Sequence, residues 1–163
     1  MGSVNDPMRG LPEPSLVSRA ECRDRAQDVI EPERVGEVQG LEAVMAAIDA
    51  QERAIVETPA EMRALYAIFF QSSDPGAEYR VDVSRALTAQ RRDLTHWLSE
   101  ARDAGEILPD LHPSRIAGQI LNSMIGIVYQ WIMDPATPAP QMHRDLKELL
   151  GCHHSGTATR TGR

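Results

Sequence analysis

The spacing of apolar residues along this chain predicts a set of amphipathic α-helices. From Val35 onward, apolar side chains return every three or four residues, which is the repeat of one face of an α-helix. The first series consists of Val38, Leu41, Val44, Met45, Ile48, Ile55 and Val56. It predicts a helix that begins near residue 35 and ends around Glu57.

Proline marks the start of the second predicted helix. The four residues from Thr58 to Glu61 place a proline in the first turn, where its missing N–H group costs no hydrogen bond. Thr58 is expected to cap the helix, and Glu61 to complete a capping box. The apolar side chains that follow predict a helix over 59–72.

Three further helices follow, again separated by glycine and proline. The third is predicted over 78–104 and stops at Gly105, and the fourth begins at Pro113 and runs to Met133. A short fifth helix covers 141–150.

Aromatic residues make up only 4% of the chain, and Ala, Leu, Ile, Val and Met supply most of the apolar surface, which favours helices over strands. The sequence therefore predicts an all-α bundle of about five main helices.

The chain divides into three predicted segments. Residues 1–34 contain four prolines and mixed charges, and we expect them to be poorly ordered or partly helical. Residues 35–151 hold the helical domain. Residues 152–163 are rich in glycine, threonine and arginine, a composition that is typical of a disordered tail.

The fourth predicted helix carries more apolar surface than one neighbour can cover. Either it lies at the centre of a single-chain bundle, or a second copy of the chain covers its outer face. We expect the dimer, because five modest helices rarely surround one helix completely, and Gly118 and Gly126 allow two helices to approach closely. The predicted outer face consists of Gly118, Leu121, Ile125, Gly126, Val128 and Ile132.

The charge of the chain argues against DNA binding by its whole surface. With 24 acidic and 17 basic residues, the formal net charge is −7, which repels a phosphate backbone. The apolar stretch from Ile116 to Met133 contains polar residues and is not flanked by basic anchors on both sides, so we expect a buried helix and no membrane span. The N-terminus shows no secretory signal, and we expect a cytoplasmic protein.

The usual motifs of enzymes and metal sites are missing from the sequence. It has no nucleophile elbow, phosphate-binding glycine loop, zinc-protease motif or dinucleotide fingerprint, so we expect no catalysis and no cofactor, with a small helical enzyme as a remote alternative. His96 is expected to be a surface histidine. Cys152, His153 and His154 are adjacent and cannot supply four preoriented ligands, so no metal site is expected.

Large apolar side chains on several helices are candidates for a ligand pocket. Aromatic and methionine side chains with a few polar tips are typical of cavities that bind small apolar molecules, and they are equally typical of a core. The candidate ligand-binding residues are Tyr66, Phe69, Phe70, Trp97 and Met124.

The order of features from Arg85 to Pro135 forms a specific pattern. It begins with a helix ending Leu98-Ser99-Glu100-Ala101-Arg102-Asp103-Ala104-Gly105-Glu106-Ile107, which is followed by a link with Pro109-Asp110. His112-Pro113 then leads into an apolar helix that contains Gly126 and ends with Trp131-Ile132-Met133-Asp134-Pro135. This pattern resembles the C-terminal half of TetR-family transcriptional regulators. The resemblance covers about residues 37–150.

The resemblance implies a helical domain that binds an effector and dimerises. In that family the two C-terminal helices of each subunit form a four-helix interface, which here implies the helices at 113–133 and 141–150, with Leu146 and Leu149 added to the interface. The effector cavity would lie among the helices at 37–57, 59–72 and 78–104.

The family's DNA-reading headpiece is not recognisable in residues 1–34. Such headpieces contain a glycine turn and an aromatic-rich recognition helix, whereas residues 1–34 have no Tyr, Phe or Trp and carry seven acidic against five basic side chains. We therefore expect an effector-sensing and dimerisation module that does not bind DNA itself, in a repressor or an activator. The alternative is a DNA-free protein that forms mixed dimers with an intact related regulator.

Overall fold

The computed structural model describes residues 38–152, which form five α-helices. We number them α1 (Gly40–Glu57), α2 (Pro59–Gln71), α3 (Arg80–Asp103), α4 (Pro113–Met133) and α5 (Ala139–Cys152). This part of the chain contains no strand, so the all-α prediction is confirmed for it. The helix ends agree with the predicted ones to within two residues, except that α1 begins at Gly40 and not near residue 35.

Two of the predicted segments fall mostly outside the described residues. The segment 1–34 lies outside them entirely. Of the predicted tail 152–163, only the first residue is described, and it is helical, because α5 ends at Cys152.

Helix α4 packs along α3 and also against α5 and α1, and two groups of buried side chains form the core. The first core, between α1, α3 and α4, consists of Val44, Ile48, Leu94, Leu98, Ala101, Ile107, Ala117, Ile120, Leu121 and Met124. The second core, at the other end of α4, consists of Ile55, Met62, Tyr66, Ile127, Val128, Trp131 and Ala139. Ile125 and Leu146 pack against both cores, so the bundle is continuous.

The buried face of α4 is a single stripe, which corrects the predicted outer face. Its central residues are Ala117, Ile120, Leu121, Met124, Ile127, Val128 and Trp131, at alternating spacings of three and four. Leu121 and Val128 were expected to point outward, yet they are 4% and 0% exposed and belong to the chain's own core. The solvent side is occupied instead by polar residues such as Gln119, Asn122 and Ser123.

Helix α4 is also the one helix among residues 38–152 whose length and apolar composition would suffice to cross a membrane. In its most apolar 18-residue window, 39% of the residues are buried within the chain. Its apolar stripe faces the two cores, and core helices of globular proteins meet the same criteria of length and composition.

The predicted capping box at the start of α2 is not formed. The hydroxyl of Thr58 makes no cap to α2 and donates to the carbonyl of Ala54, 3.0 Å away in the last turn of α1. Thr58 therefore closes the end of α1, and the first turn of α2 depends on Pro59, whose φ angle already suits a helix.

Two carboxylates, one near the end of α3 and one shortly after it, hold the start of α1. Oε2 of Glu106 accepts a hydrogen bond from the N–H of Leu41 at 2.8 Å, and Oε2 of Glu100 accepts one from Gly40 at 3.3 Å. Negative charge at a helix N-terminus is favourable, because unpaired N–H groups and the helix dipole both attract it. Gly40 has a φ of +61°, a conformation that L residues with a side chain adopt only at a cost.

This junction makes Gly40→Ala a destabilising change. An added Cβ atom would lie 2.7 Å from Oε2 of Glu106, and the positive φ costs a further 1–2 kcal/mol or so. We expect a loss of about 2 kcal/mol in the free energy of unfolding, measured by urea denaturation. Gly76→Ala is the matched control, because Gly76 has no positive φ and its Cβ would meet only Asp74 Oδ1, at 3.7 Å. Equal losses in both variants would contradict this account of the α1 start.

Candidate functional site

The five predicted ligand-binding residues divide between the two cores. Trp97 and Met124 belong to the first core, at the α3–α4 contact. Tyr66, Phe69 and Phe70, all on α2, belong to the second core. The structure therefore does not bring the five together, and a single ligand could contact only one of the two groups directly.

The α2 residues form an aromatic cluster with a partner on α4. Ring centroids of Tyr66 and Phe69 are 5.5 Å apart, those of Phe69 and Phe70 5.4 Å, and those of Phe70 and Tyr129 5.3 Å. The last two pairs meet edge to face, an arrangement that the ring quadrupoles favour. Nearby, the guanidinium of Arg63 lies 4.6 Å from the ring of Trp131. Aromatic rings from α2 thus pack against the C-terminal half of α4.

A chain of polar groups runs through the second core beside these rings. Tyr66 O–H and Gln51 Nε2 lie 3.2 Å apart, and Oε1 of Gln51 lies 2.9 Å from Nε2 of His143. Nδ1 of His143 lies 2.7 Å from the carbonyl oxygen of Ala139. This polar chain joins α1, α2 and α5 through side chains that are mostly removed from water.

Burial controls the protonation of the two titratable members of the polar chain. His143 is fully buried, and loss of solvent lowers its pKa below the usual value for histidine, while the carbonyl of Ala139 and the charge of Glu52 act in the opposite direction. Burial also raises the pKa of Tyr66 far above the range of neutral solutions, against a smaller effect of Gln51. Tyr66 therefore keeps its proton, and His143 is biased toward the neutral imidazole.

Sequence reasoning missed both Gln51 and His143. A signal was present for His143, which lies three residues before Leu146 and seven before Leu150 and so falls on the inward stripe of the last helix. Gln51 and His143 are 92 residues apart in sequence. No local pattern predicts such a pair.

Charged residues line the outer edge of the same α1–α5 contact. Asp49 binds Lys147, which also lies 3.8 Å from Glu52, and Arg144 lies 3.5 Å from Glu52. An open groove of about 380 Å³ follows this edge and is lined by Asp49, Glu52, Arg53, Val56, Glu57, Arg144 and Lys147. None of the five predicted ligand residues lines it.

Metal ligands are not assembled in the described part of the chain. Among residues 38–152 no group of three or more His, Cys, Asp or Glu side chains could hold a metal ion. The adjacent His153 and His154 lie outside that range. His96 is exposed, as expected, and its Nε2 lies 3.4 Å from Oε1 of Glu100, one helical turn away.

The outer face of α4 carries no charge along most of the helix. We define this face as Gly118, Gln119, Asn122, Ser123, Gly126, Tyr129, Gln130 and Met133. Indeed no charged residue occurs from Ile116 to Met133, although 25% of the whole chain is charged. Tyr129 is 46% exposed and Met133 67%. A Cβ added at Gly118 or Gly126 would meet no atom of the described chain within 4 Å.

The predicted interface residues therefore have different environments. Gly118 and Gly126 lie on the outer face of α4, whereas Leu121 and Val128 are buried in the two cores. Ile125 and Ile132 are half-buried beside the outer face. On α5, Leu146 packs inward and Leu149 is 65% exposed. The dimer itself stays a prediction, and the surface available for it is shifted around α4 toward Ser123 and Tyr129.

The buried histidine makes stability depend on pH. The pKa of His143 is lower in the folded chain than the value of about 6.5 expected after unfolding, so the unfolded chain takes up this proton first as the pH falls. We expect this contribution to be constant above about pH 6.5 and the free energy of unfolding to decrease below it, by at most about 1.4 kcal/mol per pH unit, until His143 protonates in the folded chain.

Denaturation of variants between pH 5 and pH 8 measures this effect. His143→Gln should lose this part of the pH dependence, whereas His96→Gln should retain it, because His96 is exposed. If both variants lose the same pH dependence, His143 is not the group responsible.

Comparisons with known proteins add no relative to this picture. No family model, no curated protein and no solved structure matches the chain. Any statement about its function therefore depends on the residues and contacts described above.

Proposed function

We propose that this chain is the effector-sensing and dimerisation module of a TetR-like transcriptional regulator. The observation that carries the proposal is the outer face of α4, which has no charged residue from Ile116 to the end of the helix at Met133 and leaves Tyr129 and Met133 exposed. The proposal also rests on the resemblance of residues 37–150 to that family, and the five helices occur in the predicted order. The proposal has two parts, a symmetric contact through α4 and α5 and an effector site in the second core.

Charge composition supports the contact through α4. Solvent-exposed helix faces normally carry Lys, Glu, Asp or Arg, whereas the central parts of protein interfaces are depleted of charged residues and enriched in Tyr and Met. The outer face of α4 has Tyr129 and Met133 exposed, and the one charged residue of the helix is Arg115, in its first turn. On α5, the helix that follows α4, Leu149 is exposed as well.

The two glycines supply the shape for a second copy of the chain. Gly118 and Gly126 are eight residues apart on one side of α4, with Asn122 between them, and open space lies above both. Side chains of a partner helix could enter these two depressions and bring the helix axes close together. Because α4 and α5 are joined by a short turn and pack side by side, a two-fold copy would complete a four-helix bundle.

The second core supports the proposed effector site. Phe69, Phe70 and Tyr129 are only partly buried, so an apolar molecule could displace them at modest cost and gain contact with Ile127 and Trp131. The polar chain beside them offers hydrogen-bonding groups to a ligand with one polar end. We therefore propose an apolar or amphipathic effector.

Helix α4 could link the effector site to the dimer contact. Its inner side contributes Ile127, Val128 and Trp131 to the second core, and Tyr129 contacts Phe70 while also lying on the outer face. A ligand that displaces Phe70 would therefore disturb a residue of the proposed interface. The formal net charge of −7 supports a module that does not itself bind DNA.

Ser123→Glu tests the dimer contact. We expect the native chain to be a dimer at micromolar concentration, and an unpaired charge on the outer face of α4 to raise its dissociation constant at least about 30-fold, equivalent to about 2 kcal/mol. Sedimentation equilibrium measures the change. Ser123 is preferable to Val128, because a charge at Val128 would enter the core of the chain and unfold it.

Ser84→Glu is the matched control. Ser84 is also an exposed serine inside a helix, but it lies on α3, which is not part of the proposed contact. This variant should dimerise like the native chain. A native chain that is monomeric at high micromolar concentration, or equal dissociation of the two variants, would refute the contact.

Thermal unfolding in the presence of small molecules tests the effector site. We expect 2-naphthol or decanol to raise the melting temperature, because ligands that bind only the folded state stabilise it by mass action, by about 2.7 kcal/mol at one hundred times Kd. ATP and glucose should have no effect, since the sequence has no phosphate-binding glycine loop and the proposed effector site is mostly apolar. Stabilisation by ATP alone would contradict the proposal.

A pair of tyrosine variants locates the site. Tyr66→Phe removes the hydroxyl at the end of the polar chain and should reduce the thermal shift caused by 2-naphthol. Tyr79→Phe removes a hydroxyl from an exposed tyrosine outside both cores and should not. An equal reduction in both variants would place the binding elsewhere.

A further inference from the structure

The donors and acceptors of the polar chain can be assigned from chemistry alone. A carbonyl oxygen can only accept a hydrogen bond, so the 2.7 Å contact between Ala139 and His143 requires a hydrogen on Nδ1. A neutral imidazole has only one N–H group. When His143 is neutral, its Nε2 atom is therefore a bare acceptor.

The bare Nε2 atom dictates the orientation of Gln51. It must receive a hydrogen bond, so the side-chain NH₂ of Gln51 has to face it, and the oxygen of Gln51 then faces Tyr66. Under these conditions the hydroxyl of Tyr66 donates to Gln51. The chain of donors then runs in one direction toward His143 and continues from its Nδ1 to Ala139.

Protonation of His143 requires the opposite orientation. The imidazolium donates from both nitrogens, so Gln51 must turn its oxygen toward Nε2 and its NH₂ toward the oxygen of Tyr66. The structure has this second orientation, with Oε1 of Gln51 2.9 Å from Nε2 of His143 and Nε2 of Gln51 3.2 Å from the hydroxyl, so the neutral ring that burial favours requires the amide of Gln51 to turn over. Both orientations fit the same heavy-atom positions, because the two ends of an amide are nearly the same size.

We propose that Gln51, His143 and Tyr66 form a proton-driven switch, in which uptake of one proton by His143 rotates the Gln51 amide by half a turn and converts Tyr66 from a donor to an acceptor. The switch joins three helices through one buried chain. It transmits a change in pH from α5 to the aromatic cluster on α2, with no net movement of the backbone.

The charged surroundings of His143 permit both protonation states. From α1, Glu52 and Asp49 favour the imidazolium, and from α5 Lys147 opposes it. These groups are themselves paired, since Lys147 contacts both carboxylates and Arg144 contacts Glu52. From α2 the chain is met by the neutral hydroxyl of Tyr66, and α4 adds Ile127, Val128 and Trp131 to this core, none of which is charged.

Nuclear magnetic resonance of the native chain tests the switch without any mutation. At pH 8 the imidazole nitrogen shifts of His143 should report hydrogen on Nδ1 and none on Nε2. As the pH falls, the side-chain amide of Gln51 and the ring of Tyr66 should titrate with the same midpoint as His143. Hydrogen on Nε2 at pH 8, or a Gln51 amide that does not follow His143, would overturn the proposal.

Gln51→Glu provides an independent test. A carboxylate can only accept at this position, so it should hold the imidazolium and raise the titration midpoint of His143 by at least one pH unit, a tenfold change in proton affinity. Gln71→Glu, at the exposed end of α2, should leave the midpoint where it is. An unchanged midpoint in a folded Gln51→Glu variant would show that Gln51 only fills space.

Discussion

The packing of α4 is the constraint on which the rest of the structure depends. Its buried stripe closes two cores, one with α1 and α3 and one with α2 and the start of α5. A helix of 21 residues is about 31 Å long, enough to connect the two ends of the bundle. Because the stripe contains only apolar residues while Gln119 and Asn122 lie on the opposite side, rotating α4 by a third of a turn would bury these two amides without partners.

Polar contacts hold α1 in place at its start and in its second half. Glu106 and Glu100 bind its first N–H groups, and Gln51 reaches His143 and Tyr66 in its second half. Each contact joins residues at least fifteen positions apart, and none of the buried side-chain polar atoms among the described residues lacks a partner. Hydrophobic burial brings the helices together, and these bonds select one register of α1 relative to its neighbours.

The sequence predicted the helices well and the surroundings of individual side chains poorly, for different physical reasons. Proline, glycine and the three-to-four repeat are local signals, so the bounds of α2 to α5 could be derived from them. The outward placement of Leu121 and Val128 was wrong, because apolar residues on most sides of a helix do not reveal which side faces the core. The polar positions Gln119, Asn122 and Ser123 did carry that information.

The aromatic cluster explains how the inner and outer sides of α4 could act together in the proposed sensor. Tyr129 is the residue at which they meet, since its ring contacts Phe70 and almost half of its surface remains exposed. Phe70 in turn lies 5.9 Å from the ring of Tyr66, which ends the buried polar chain. Only these two aromatic contacts separate the proton-binding imidazole and its amide from the face where a second copy is proposed to bind. A close-packed interior transmits displacements of this kind, because no ring can move without its neighbours giving way.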